Sequence, residues 1–359
     1  MIKTFEYYLI KLFLKKILTI SLVFLSLIFI LSIFDEISFF KDLNTSFYFP
    51  FFLTLLNAPS TLFEIFPFVF LIATQFFFLE LIAKEELEIF KIHGTTNLKI
   101  INIIFITSFL AGVLLTTFYY SFSSKLKFLY LDLKNTHSND NKYLAVVNEN
   151  GLWIKDEIDN KIFIINAIQI DNNILKEVTI NEFNKQFKLT RIVLSEQVDI
   201  SSKKWIVFNP RITIDNDTKN LEENVYITTH FDDKKINGLF RNLGSLNVKE
   251  LLKLRNDYES LGYSTTEVKS YLNKLLYFPF YLSIMVLLSS ITMFNIKRNR
   301  SVIFYVILGI LMSVIIYYIY YLFNFLGESE KIPIFLASLL PLLILVIAIS
   351  IGLLRINEK

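Results

Sequence analysis

The chain has 359 residues, 53% of them apolar, a mean hydropathy of +0.49 and a net charge of +3. A soluble domain is roughly 45–50% apolar; here the excess is gathered into blocks of about 20 residues, the length that crosses a hydrocarbon core, which excludes a large soluble enzyme. The inventory has no Cys, three separated His (His93, His137, His230) and nine Gly, none followed by Lys. It therefore excludes disulfides and thiolate chemistry, a histidine zinc site and a Walker A loop. The small net charge argues against nucleic acid as a partner. No cofactor, metal site or catalytic set is expected, and any ATP used must be bound by another chain.

In chain order, apolar blocks lie at 17–34, 60–82 and 100–122, and again at 274–295, 301–325 and 333–353, with a polar stretch, 125–272, between the two sets. The first block is too long for a signal peptide's apolar core and is followed by Phe34-Asp35-Glu36 rather than small residues, so it reads as a retained span. Short-loop cations gather on one side: Lys3, Lys11, Lys15 and Lys16, then Lys84, Lys91 and Lys99, then Lys297, Arg298 and Arg300, then Arg355 and Lys359. The short loops of the other side hold Lys41 and Lys331. By the positive-inside rule both termini are cytoplasmic and the polar stretch lies outside the cytoplasm, in the periplasm of a two-membrane cell. The predicted fold class is a polytopic α-helical membrane protein with six transmembrane helices and an inserted periplasmic antiparallel β-domain.

The polar stretch reads mostly as β. Segments 151–156, 161–170, 175–183, 187–194 and 204–214 carry β-branched and aromatic residues, several alternating in period two. Turn signals separate them at Asp159-Asn160, Asp171-Asn172-Asn173 and Asp215-Asn216-Asp217. This spacing suggests a sandwich, a jelly roll or a partly open barrel, and Trp153 and Trp205 read as its core rather than as ligand contacts. Helical signals follow: Asn247 with Glu250 reads as a helix start, and Ser264 with Glu267 makes a capping-box pattern. The predicted organisation is 1–124 for the first three spans with a short helix at about 84–94, 125–246 for a jelly-roll-like domain, 247–273 for a helical linker and 274–359 for the last three spans.

The loop AKEELEIFKIHGTTNLKI, residues 83–100, predicts a short amphipathic helix. Glu85, Glu86 and Glu88 crowd its start, Lys91 and His93 its end, and Gly94 suits a left-handed C′ position. Thr95 or Thr96 then caps the third span. The bland reading is a surface helix joining two spans. The sharper one is a coupling helix docking on a nucleotide-binding subunit, with Glu86 as charged contact and Leu87 and Phe90 as apolar anchors. Glu64, between Pro59 and Pro67, is either solvated in the interface or functional, as ionisable groups at membrane depth often are. Gln75 is expected to hydrogen-bond another helix. Tyr317, Tyr318, Tyr320 and Tyr321 read as an interfacial belt, or as cavity lining, since Tyr317, Tyr320 and Tyr321 share a face.

As an ordered set these features resemble the LptF/LptG family of lipopolysaccharide-export permeases. Glu86, Leu87 and Gly94 match its E-L-x-x-x-x-x-x-G loop. Residues 58–80, with Pro59 and Pro67, resemble its second span. Residues 252–289, with Pro279, resemble its return into span four, and GLWIKD is closer to LptG than to LptF. The resemblance covers essentially the whole chain. It implies a non-enzymatic subunit, LptG-like or LptF-like, of an ATP-driven exporter in the bacterial inner membrane. Its implied partners are an LptB-like ATPase dimer, a second six-span LptF-like permease subunit, an LptC-like protein and lipopolysaccharide. Residues 85–94, with Glu86, Leu87, Phe90, Lys91 and Gly94, would then carry the coupling to the ATPase. Spans one, two and five would wall the lipid cavity; Glu64, Tyr317, Tyr320 and Tyr321 are its candidate lining, and Lys41 is the nearest cation in sequence for a lipid phosphate. A non-transporting membrane scaffold is the rival reading.

Overall fold

A computed structural model describes residues 4–41, 46, 48–137, 152–158, 161–171, 173–214, 217–220, 223–229, 231, 236, 242–261, 264–294 and 302–357. Among them, six helices are long and apolar enough to cross a membrane. In lipid the backbone has no water to bond, so an apolar run must close its own hydrogen bonds as a helix. The chain divides into two compact units, Met1–Tyr130 with Thr266–Lys359, and Leu131–Thr265.

The first unit holds α1 (Thr4–Phe39), α2 (Tyr48–Ala83), a short α3 (Glu86–Ile92) and α4 (Asn97–Leu114). A π-helical turn, Leu115–Tyr119, joins α4 to α5 (Tyr120–His137). The helices run past the apolar blocks: α1 opens at Thr4, thirteen residues before the block at 17, because Lys and Glu extend a helix without cost. Likewise α5 continues the third span well beyond 124. The second half comprises α7 (Thr266–Phe294), α8 (Val302–Glu328) and α9 (Ile334–Asn357). Lys3, Lys297, Arg298, Arg300 and Lys359 of the cation count lie outside the described residues.

Helix α2 is the centre of this unit, buried along most of its length. It packs on α1 through Phe13–Phe77 (5.6 Å) and Phe24–Phe68 (5.3 Å), and on α7 through stacked Phe63–Phe278 (4.4 Å) and Phe78–Phe294 (4.8 Å). Polar side chains close the seams, as is usual where lipid leaves no hydrophobic drive between helices. Ser289 Oγ donates to the Leu71 carbonyl (2.9 Å), and Ser108 and Ser283 hydroxyls meet at 3.2 Å. The expected interhelical bond of Gln75 is present: its Nε2 donates to the Tyr305 carbonyl of α8 at 2.9 Å. At the far end of α1, buried Glu36 accepts from the Tyr130 hydroxyl at 2.6 Å.

The second unit carries β1 (Leu152–Ile158), β2 (Lys161–Asp171), β3 (Ile174–Asn184), β4 (Leu189–Asp199), β5 (Lys204–Val207), β6 (Arg211–Ile214), β7 (Asp217–Asn220) and β8 (Val225–Thr228), followed by α6 (Val248–Leu261). Every pairing is antiparallel, in the order β1-β2-β3-β4-β5-β8, with β6 beside β4 and β7 beside β6. Strands β5 and β6 occupy one position along β4, broken where Asn209 takes a positive φ of 41° and Ser195 Oγ donates to the Phe208 carbonyl at 2.6 Å. The apolar face is buried: Ile154, Ile165, Leu175, Ile180, Val193, Val198 and Val207. Of the two tryptophans, only Trp205 is core, fully buried with its indole N–H on the Phe231 carbonyl at 2.9 Å. Trp153 is 52% exposed, a correction to the sequence reading. In a period-two strand, burying Leu152 and Ile154 turns the residue between them outward. The Asn247 signal is a complete capping box: Glu250 N–H donates to Asn247 Oδ1 (3.0 Å) and Asn247 N–H to Glu250 Oε2 (2.8 Å). The Asp159-Asn160 and Asp215-Asn216 turns, Asn172 and His230 lie outside the described residues.

Candidate functional site

Two features of the first unit combine residues singled out by sequence. One is a cavity of about 530 Å³ walled by α1, α2, α7 and α8. Its deep part is apolar, from Phe24, Phe68, Met285 and Val314. Its other end carries Glu64, Lys274, Asn324, Tyr317, Tyr320 and Tyr321. The rise along α7 from Lys274 to Met285 is about 16 Å, so polarity changes along the helix axis. Such a volume lies within the usual range of ligand pockets. Its chemistry suits a molecule with an apolar tail and a polar or charged head.

Glu64, half exposed, sits 3.7 Å from Lys127 of α5. Tyr320 is buried, stacked on Tyr281 at 5.1 Å, whereas Tyr317 and Tyr321 stack on each other (6.5 Å) and remain exposed. The run of four tyrosines is therefore split into one packed ring, Tyr320, and three open ones, Tyr317, Tyr318 and Tyr321. Lys41 is exposed just beyond α1 and is not among the lining residues; the cavity takes its cation from Lys274. Sequence reasoning passed over Lys274 and Lys127. The signal was present, since Lys274 stands at the mouth of the fourth apolar block, where an ionisable side chain is costly without a role. Bringing Lys127 to Glu64, and Lys274 into the same cavity wall as Glu64, however, needs the helix packing.

The second feature is α3. Glu85 precedes it at a positive φ of 59°, and Gly94 follows it at 78°, the left-handed C′ residue expected. Thr96, not Thr95, caps α4 by accepting from Lys99 N–H (3.2 Å). The two predicted anchors face the chain itself: Leu87 is buried, and Phe90 lies half-buried against Phe5 of α1 at 6.2 Å. With seven residues, α3 has one stripe to spend on its own seat, and Leu87 and Phe90 are that stripe. The apolar side chains it presents outward are Ile89 (49% exposed) and Ile92 (81%), beside exposed Glu88 and Lys91. Glu86 is half-buried and accepts from the Tyr8 hydroxyl. Nearby, Glu80 is paired with Lys16 and, at 2.6 Å, with Lys84. That hydrogen bond to Glu80 holds the Lys84 ammonium above the ordinary lysine pKa. Among the described residues no group of His, Cys, Asp and Glu could hold a metal ion.

With an amphipathic cavity inside six spans, an antiparallel sheet between the third and fourth, and α3 between the second and third, comparison with known families decides the class. Residues 7–355 match the model of the lipopolysaccharide export system permease LptF/LptG. The chain belongs to that family. No curated protein matches it. The LptF/LptG match spans both sets of helices and the sheet, so both units belong to the permease, a multi-pass protein of the inner membrane. As a family, LptF/LptG proteins are transport permeases of lipopolysaccharide export rather than enzymes.

Proposed function

We propose that this chain is the LptG-like permease subunit of an ATP-driven lipopolysaccharide exporter. It takes lipopolysaccharide from the outer leaflet of the inner membrane and passes it to a periplasmic bridge. The observation that carries this reading is the cavity's change from apolar to charged along the spans, which matches a lipid with acyl chains and a phosphorylated head. Lys274 is the side chain suited to a phosphate, with Lys127 held on Glu64 beside it. Closing such a cavity must offset the exposure of acyl chains, about 0.8 kcal/mol per CH₂. The chain's own residues supply no such energy, so it comes from an LptB-like ATPase dimer docking on α3.

In this reading the cations Lys11, Lys15, Lys16, Lys84, Lys91 and Lys99 mark the cytoplasmic side, with both termini. The β-unit, 131–265, is then periplasmic and hands lipid toward an LptC-like partner. A second, LptF-like subunit completes the cavity, consistent with the long exposed apolar faces of α1 and α8. The LptG assignment over LptF rests on GLWIKD, whose Gly151 lies outside the described residues. The test is a mild-detergent pull-down of tagged wild type and of Glu86→Lys. Wild type should recover a Walker A ATPase and a second six-span chain, and Glu86→Lys should lose the ATPase. A stable wild-type protein that recovers no ATPase overturns the transport reading in favour of the scaffold.

A further inference from the structure

Docking on α3 leaves open which element carries the motion to the cavity. The covalent route is α2, joined to α3 through Lys84 and Glu85. It is a poor strut: Pro59 and Pro67 interrupt its hydrogen-bond ladder around Glu64, the part that lines the cavity. The alternative is α1, which has no Pro or Gly anywhere from Thr4 to Phe39. Its first turns are fastened to α3 by two contacts and to the start of α4 by a third. The Tyr8 hydroxyl points between both Glu86 oxygens, at 2.9 and 2.7 Å, one proton shared by a forked acceptor. Phe5 packs on Phe90 at 6.2 Å. Lys99, at the start of α4, lies 4.7 Å over the Phe5 ring and 3.6 Å from Glu6. Further along, the same helix places Phe24 in the cavity wall, edge-on to Phe68. The rise from Tyr8 to Phe24 is about 24 Å of unbroken helix.

We propose that Tyr8 is a positioning residue of the exporter: by holding Glu86 it ties α3 to α1, so that a displacement of α3 reaches the cavity wall through α1. This rests on the reading of α3 as the ATPase docking helix. Tyr8 is not among the residues that line the cavity. Its hydroxyl acts through Glu86, and the loss of that hydroxyl separates ATP hydrolysis from lipid movement rather than abolishing either assembly or hydrolysis.

The experiment compares wild type, Tyr8→Phe, Tyr7→Phe and Glu86→Lys in the complete reconstituted complex, reading ATPase recovery, basal hydrolysis and lipopolysaccharide released per ATP. Tyr7 is the matched control, the adjacent ring, 61% exposed. Tyr8→Phe should recover the ATPase and hydrolyse as wild type does. Its lipid yield per ATP should fall roughly tenfold, the equivalent of one hydrogen bond to a charged acceptor. Tyr7→Phe should keep the wild-type yield. A wild-type yield from Tyr8→Phe overturns the tie. So does loss of the ATPase from Tyr8→Phe, which would make Tyr8 a mere shaper of the docking surface. Retention of the ATPase by Glu86→Lys overturns the docking reading itself, and the tie with it.

Discussion

Replacing Gly309 with Ala should unfasten the seam between α2 and α8. A Cβ on Gly309 would stand 2.1 Å from Gln75 Nε2, 2.5 Å from Oε1 and 2.6 Å from Cδ, so the amide must move. A glutamine end is flexible, and the overlap by itself is relieved by rotation. What rotation cannot relieve is the surroundings: Gln75 is 1% exposed, its Oε1 has no partner, and its Nε2 bond to Tyr305 is the one that would be lost. A buried amide left unsatisfied costs about 1–3 kcal/mol, and hydrogen bonds between membrane helices average about 0.6 kcal/mol. Gly309→Ala should thus destabilise by about 1 kcal/mol net, the penalty of about 1–3 kcal/mol being offset in part by the roughly 1 kcal/mol that favours Ala in a helix. In a Gln75→Ala background the same substitution meets no amide and should be neutral or stabilising. The double-mutant cycle therefore predicts a coupling of about 2 kcal/mol between positions 75 and 309. The assay is reversible unfolding in bicelles of wild type, both single variants and the double variant. Additive effects, or a Gly309→Ala protein as stable as wild type, would refute the close-packed seam.

Three further outcomes follow from the same packing. Lys274→Met should reduce co-purified lipopolysaccharide about tenfold by mass spectrometry, as loss of a charge-assisted bond does, while Lys41→Met should leave it unchanged. The two tryptophans should separate in fluorescence: Trp205 alone, in Trp153→Phe, should emit blue-shifted and resist acrylamide, whereas Trp153 alone, in Trp205→Phe, should emit red-shifted and quench readily. Asn247→Ala should weaken the start of α6 by about 1 kcal/mol, read as faster amide exchange at 249–252 with exchange in α7 unchanged.

Much of this was legible because membrane physics is one-dimensional. The six spans show as apolar runs, since lipid charges each unsatisfied polar group heavily wherever it falls. Local devices were legible for a similar reason: Gly94, a cap at Thr95 or Thr96 and the helix start at Asn247 act within four residues of chain, and the structure chose Thr96 and completed the box with Glu250. Span ends were not, because Lys and Glu near the interface continue a helix as readily as they end one, and α1 runs thirteen residues before its apolar block. Strand phase was equally hidden at Trp153, because Leu152, Trp153 and Ile154 are apolar in a row and one register step decides which face is wet.

The sequence by itself determined the class, the span count and the chemical character of the short helix, which follow from composition and near-neighbour pattern; the family rests on the resemblance of its ordered motifs and on the match over residues 7–355. Only the tertiary structure decided partners in space. It brought Glu64 to Lys127, separated by 63 positions in sequence, and set Lys274, rather than Lys41, beside the tyrosines. It turned Leu87 and Phe90 inward and left Ile89 and Ile92 outward, and it laid Tyr8 on Glu86 across 78 positions. Helical periodicity says which residues share a face; which neighbour that face meets depends on how the helices pack, and packing is a property of shapes brought together rather than of any one segment.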